Sequence, residues 1–263
     1  MTSIAVSGRL NGRFVPRQAL DAGEINSMFE LLMSHFTGVD RSTFERDLLD
    51  KNWVILLQDD RGVLRGFSTL LVYPHAAFHS GRPEGLRYST SHLARRASAS
   101  GTPMTIVYSG DTIVEREWWG SPALPLTWLR AVERITPRYG NQEVYWMLLT
   151  SGFRTYRFLP VFFREFYPCV GDTASELSAL RDAIAAAQFG HRYDRSTGVV
   201  RLERPQVLVP DLIEVPGRRG RDPHVAFFLE RNPGYVDGDE LVCLTRIADD
   251  NLTAAGRRVA RSV

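Results

Sequence analysis

The spacing of apolar residues changes period several times along the chain, and each change marks an element. After Asp21, the residues Ile25, Met28, Phe29, Leu32, Met33 and Phe36 recur at three- and four-residue steps, which predicts one face of a helix stopped by Gly38. Asp40 stands in the N-cap position of a second, short helix, RSTFERDLLDK. The apolar run WVILLQ (53–58), the turn DDRG (59–62) and VLRGFSTLLVY (63–73) predict a β-hairpin. A further strand is expected over 104–116, MTIVYSGDTIVER, where Gly110-Asp111 breaks the alternation and predicts a bulge. Leu126, Leu129, Val132 and Ile135 then lie on one side of a helix running from Pro122 to Ile135. The strand EVYWMLL (143–149) follows and leads through Ser151-Gly152 into FRTYRFLPVFFREFYP, which reads as an aromatic-rich helix. Strand–helix–strand alternation in this stretch implies parallel neighbours in the sheet.

The flanks are less regular. Residues 1–20 read as a loose N-terminal arm. Residues 75–101 are rich in Ser, Gly, Arg and His with little periodicity, and read as a long loop or flap, either a lid or a solvated insertion. In the last third, a helix is expected at 174–188, short strands at 197–203 and 206–215, and a basic loop at 217–222. A helix at 223–231, the strand LVCLTRI (241–247) and a terminal helix complete it. The expected organisation is the arm 1–20, a core 21–170 and a C-terminal extension 171–263 that completes the sheet.

Composition narrows the functional classes. With 44% hydrophobic and 24% charged residues among 263, the chain is an ordinary globular protein with room for a sizeable core. The net charge of +2 gives no field directed at nucleic acid or an anionic membrane, and no apolar run is long enough to span a bilayer. Cys169 and Cys243 make neither a disulfide framework nor a zinc site, and no apolar leader opens the chain, so a cytoplasmic setting is expected. Of the 32 Lys and Arg residues, Lys51 is the single lysine. His75 and His79 lack the intervening glutamate and the helix that a zinc-binding pair needs, and no metal is expected. Nucleotide-binding glycine loops and a Gly-x-Ser-x-Gly elbow are missing from the sequence.

The element order over 24–168, two opening helices, a hairpin, a strand entering a loop and helix, then a strand followed by an aromatic helix, resembles the GNAT superfamily of acyl-CoA-dependent acyltransferases. The resemblance implies an α/β fold with a mixed, strongly bent β-sheet flanked by helices. In that family a loop of the form Gln/Arg-x-x-Gly-x-Gly/Ala between strand and helix holds the CoA pyrophosphate. The matching stretch here is REWWGS: Arg116 takes the first position and Ser121 the last, while Trp119 replaces the central glycine and Gly120 is displaced by one. Arg116, Gly120 and Ser121 are therefore the implied cofactor-binding residues, with acyl-CoA or the acyl-phosphopantetheine of an acyl-carrier protein as donor. The family's Leu-Tyr-x-x-x-Gly-Phe pattern, whose tyrosine protonates the leaving thiolate, is replaced by FFREFYP, with Phe163 at the tyrosine's place. Tyr156 or Tyr167 is left for that role.

Transfer to an amine also needs a base. The acids at the end of the central strand are Asp111, Glu115 and Glu117, and Glu115 is the favoured candidate, with a rim carboxylate paired to Arg116 or Arg130 as the alternative. The resulting expectation is a bacterial, cytoplasmic acyltransferase that moves an acyl group from a thioester to an amine of a small molecule. The alternative is a non-catalytic ligand- or carrier-binding protein that kept the fold and lost the phosphate loop.

Overall fold

The computed structural model describes residues 8–76, 103–139, 142–171, 175–215, 217 and 219–261. In chain order the elements are β1 (Asn11–Pro16), α1 (Ala22–His35), α2 (Arg41–Asp50), β2 (Trp53–Gln58), β3 (Leu64–Ala76), β4 (Pro103–Val114), α3 (Ala123–Ile135) and β5 (Glu143–Thr150). There follow α4 (Phe153–Tyr156), α5 (Phe158–Phe162), α6 (Glu176–Phe189), β6 (Tyr193–Asp194), β7 (Val199–Val200), α7 (Pro223–Arg231), β8 (Glu240–Arg246) and α8 (Ala254–Arg261). These strands form one sheet in the order β1-β2-β3-β4-β5-β8-β7-β6, and Phe36–Thr37 pairs with Val207–Leu208 in a separate two-stranded ladder. Every neighbouring pair is antiparallel except β4 and β5, which run parallel as the strand–helix–strand order predicts.

Local chemistry sets the helix starts. Asp21 and Glu24 form a reciprocal capping box at α1: Asp21 Oδ1 accepts from Glu24 N at 2.8 Å, and Glu24 Oε2 accepts from Asp21 N at 3.2 Å. Asp40 caps α2 as expected, its Oδ2 accepting from Thr43 N at 2.8 Å, a contact of the kind that contributes about 1 kcal/mol. On one face of the sheet, α3 buries Trp128, Leu129 and Val132 against Ile55, Val107 and Trp146, with Phe153, Phe163 and Phe228 completing the same core. The opposite face carries two smaller cores. Helices α1 and α2 cover Val54, Leu56, Phe67 and Ile113, while α6 covers Met147, Leu149, Val242 and Leu244. No helix of the described residues is long and apolar enough to cross a membrane.

Three expectations are corrected. Residues 11–16 of the supposed loose arm are an edge strand paired with β2 from Asn11↔Gln58 to Pro16↔Trp53. Gly12 passes so close to α3 that an added Cβ would overlap the Thr127 side chain. The aromatic segment 153–168 is two short helices, and the chain turns at Phe163 into extended structure that bridges to Leu252. Pro160, lacking an N–H, is one reason that no long helix runs through. Finally, the strands expected at 197–203 and 206–215 shrink to two residues each, Val199–Val200 and Val207–Leu208, and a helical turn at Pro210–Ile213 follows. The loop or flap expected over 75–101 begins within β3, and its residues 77–101 lie outside the described residues.

The packing of β1 on α3 gives a direct check. Gly12→Ala should cost about 1–3 kcal/mol, the usual range for overpacking, and Thr127→Ala should restore part of that loss, both read from urea unfolding. Full stability of the single variant would mean that the edge strand is not seated as described.

Candidate functional site

The parallel pair does not stay together. β4 and β5 are in register from Met104↔Glu143 to Ser109↔Leu148 and then part. Beyond that point β4 continues only with β3, and β5 only with β8. The break coincides with the predicted bulge: Leu70 faces Ser109 and Ser68 faces Thr112, so Gly110 and Asp111 together oppose Thr69. The glycine is required by proximity. A Cβ at residue 110 would lie 2.8 Å from Thr69 Oγ1 and 2.9 Å from Lys51 Cε.

The bulge opens onto a cleft of about 2090 Å³ that runs between α2 and α6 and past the start of α3. Asp47, Lys51, Tyr108, Asp111 and Glu240 line its floor. Asp47 and Lys51 sit at the end of α2, Asp111 in the bulge, and Glu240 at the first position of β8. Lys51 is almost wholly buried, with 2% of its side chain exposed. Its ammonium pairs with the Asp47 carboxylate, donates to Asp47 O at 3.2 Å and lies 5.7 Å from the centre of the Tyr108 ring.

The Lys51 charge does not cancel the rise at the neighbouring carboxyls. Burial pushes the Asp111 carboxyl above its usual range, the Asp47 charge adds to the rise, and Lys51 opposes it. Burial likewise pushes Glu240 up to about 8, with the charges of Asp111 and Asp47 contributing and Lys51 again opposing. Carboxyls poised in this way can exchange protons near neutrality, the property that a general base or acid requires.

Of the residues singled out in the sequence, Asp111 and Ser121 line the cleft, while Glu115, Tyr156, Arg116 and Gly120 do not. Glu115, just after β4, accepts from Arg65 Nη1 at 3.0 Å, and Arg65 also holds Asp59 at 2.9 Å. Glu115 is not among the residues lining the cleft. Tyr156 is fully buried; its hydroxyl donates to Pro168 O at 3.0 Å, and its ring packs against Phe166, Phe227 and Phe228. Arg116 donates to Asp211 O at 2.7 Å and lies 5.4 Å over Trp119. Gly120 is exposed, and a Cβ there would meet nothing within 4 Å.

The loop between β4 and α3 uses its own donors. Trp118 N donates to Glu115 O at 2.9 Å, Trp119 N to Arg116 O at 3.3 Å, and Ser121 N to Trp118 O at 2.9 Å. Those N–H groups close a tight 3₁₀ turn and do not point outward as a phosphate cradle would. Trp119 fills the loop: its Nε1 donates to Val114 O at 2.8 Å, and the guanidinium of Arg154 lies 4.0 Å from the ring centre. Ser121 and Arg154 do line the cleft, which places polar donors beside the turn even though the turn itself is closed. His75 is the penultimate residue of β3, while His79 lies outside the described residues; no group of three or more metal-ligating side chains occurs among the described residues.

Sequence reasoning thus included Asp111 but passed over Asp47, Lys51 and Glu240 as site residues. Two signals were present. Asp47 and Lys51 are four residues apart on one helix face, and Lys51 is the single lysine of an arginine-rich chain.

A mixed sheet with one parallel pair that parts at a bulge, followed by a turn and helix, is the arrangement that the resemblance to the GNAT superfamily implies. No known family model matches the chain, and no curated protein does. Among solved structures, the chain is similar to a GNAT family N-acetyltransferase from Escherichia coli in complex with CoA, at 12% identity over 67% of this chain and 73% of that one, TM-score 0.38. It is also similar to arginine/ornithine succinyltransferase subunit AI from Pseudomonas aeruginosa, at 12% identity over 97% and 80%, TM-score 0.39. A conserved protein of unknown function from Enterococcus faecalis matches at 13% identity over 60% of this chain, TM-score 0.38, and the match spans 33% of that longer protein.

The raised carboxyl at Glu240 has a definite linkage sign. Its folded value, about 8, exceeds the ordinary 4.5, so the folded state holds the proton more tightly than the unfolded chain does. The stabilisation is complete below pH 4.5 and is lost as the pH rises towards 8. Glu240→Gln should therefore flatten the fall in Tm across that interval and melt higher than the parent protein at the alkaline end. Parallel Tm-against-pH curves for the two proteins would contradict the assignment.

Proposed function

We propose that the protein is an acyltransferase that moves an acyl group from a thioester to the amine of a small molecule. The observation that carries this reading is that the parted parallel strands and the half-buried carboxyls of Asp111 and Glu240, both held above their usual range, meet in one cleft. Parting leaves the β4 edge beyond Ser109 without a β5 ladder, a slot in which an extended pantetheine arm can make main-chain hydrogen bonds. Asp111 and Glu240 are then placed to take a proton from an amine arriving along the cleft. Glu115 lies at the strand end in its ion pair with Arg65 and serves as the comparison residue.

The donor is acyl-CoA or an acyl-carrier protein. The closed turn at 116–121 and the tryptophan within it favour a donor that relies little on a diphosphate cradle, with Ser121 and Arg154, whose guanidinium donates to Leu212 O at 2.7 Å, lining the cleft beside the turn. A second reading, a non-catalytic binding protein, is favoured by the same closed turn together with the sealing of Tyr156 in the core. Under the first reading, the thiolate leaves and takes its proton from solvent.

The two readings separate experimentally. Acetyl-CoA should raise Tm by mass-action linkage, and with an amine acceptor it should release free thiol. Asp111→Asn or Glu240→Gln should then slow thiol release by about 100-fold or more, the usual share of a positioned base, while Glu115→Gln leaves the rate within a small factor. A Tm shift without acyl transfer to any amine tested would favour the binding protein. Full loss in Glu115→Gln alone would return the base to the strand end.

A further inference from the structure

Lys51 is itself an amine, and it occupies the place that an amine acceptor would have to reach. Its side chain lies against the bulge, with Cε 2.9 Å and Nζ 3.5 Å from the position of a Cβ on Gly110. The Asp47 and Lys51 charges act on Asp111, and the Asp111, Asp47 and Lys51 charges act on Glu240, which lines the same cleft. Arginine would not serve there, because a planar guanidinium is bulkier and does not give up its proton. The bulge also holds an unused polar group: Thr69 is fully buried, and its Oγ1 has no hydrogen-bond partner among the described residues. That hydroxyl lies 2.8 Å from the same Cβ position on Gly110. A buried hydroxyl left unpaired carries a desolvation cost, which a carbonyl oxygen entering the bulge would relieve.

We propose that Lys51 is a self-acylation site, taking an acyl group from a thioester bound at the parted strands. The inference rests on the thioester reading given above. The ammonium first gives one proton to a neighbouring carboxylate, from which it passes to solvent. The nitrogen lone pair attacks the thioester carbonyl carbon. A C–N bond forms, the C–S bond breaks, and the thiolate leaves with the second proton from nitrogen. The product is an uncharged amide, too stable to pass the acyl group on, so the modified chain is a distinct state of the protein and not a catalytic intermediate. In that state Asp47 has lost the ammonium it pairs with, and the Lys51 charge that opposes the rise at Asp111 and Glu240 is gone.

The test uses the intact chain in two arms, one with acetyl-CoA and one with the small thioester S-acetyl-N-acetylcysteamine, which needs no nucleotide-binding surface. Peptide mass mapping reads Lys51 against the amino-terminal amine as an internal standard, and Tm reports binding. The expected result is acetylation of Lys51 at least about tenfold faster than that of the terminal amine, as for an activated nucleophile. Gly110→Ala, which pushes Lys51 off the bulge while keeping the amine, should abolish that preference. A Tm shift with acetyl-CoA while Lys51 stays unmodified in both arms overturns the proposal and leaves the thioester reading standing. Modification by the small thioester alone keeps the reactive amine and removes CoA as the donor. Neither a shift nor modification in either arm overturns both.

Discussion

The site depends on a steric constraint at one residue. Gly110 has Thr69 on one side and Lys51 on the other, with no room for a side chain between them. Because the extra residue of the bulge is a glycine, β4 can bend away from β5 while the only lysine of the chain lies across the bend. Parting of the strands, burial of the ammonium and crowding of the carboxyls are then aspects of one local geometry. A larger residue at 110 would disturb all three at once.

Much of the scaffold was legible in the sequence because it follows from short-range rules. Helical periodicity and an Asp N-cap specify α1 and α2, the turn DDRG specifies the hairpin, and Gly110-Asp111 marks the bulge. The failures have a common physical origin. β1 carries little hydrophobic signal because it is an edge strand whose anchoring lies in the partner ladder and in the approach of Gly12 to α3. The segment 153–168 has the composition of a buried helix, yet its aromatic side chains pack against α7 and α8, and that tertiary demand breaks it into short pieces.

The site was only partly legible for a related reason. Asp111 and Glu115 fall on one expected strand, 104–116, and sequence alternation alone does not distinguish them. What separates them is Arg65, which comes from the neighbouring strand and engages Glu115, while Asp111 turns into the cleft with Asp47, Lys51 and Glu240. Those partners come from α2 and β8, at distances along the chain that no local pattern encodes. Tyr156 illustrates the same limit: a tyrosine at a plausible position in a motif is committed by Phe227 and Phe228, some seventy residues downstream, to the interior.

The two margins of the sheet close in different ways. At one end, β7 and β6 are only two residues long, so few backbone donors and acceptors remain open there. At the other, β1 offers six residues but carries Arg13, held in an ion pair with Glu24, and ends at Pro16, which has no N–H to offer. An eight-stranded sheet with long open margins would be a template for further strands from neighbouring molecules. Short strands at one margin, and a charge and a proline at the other, leave little open edge among the described residues for a further strand to join.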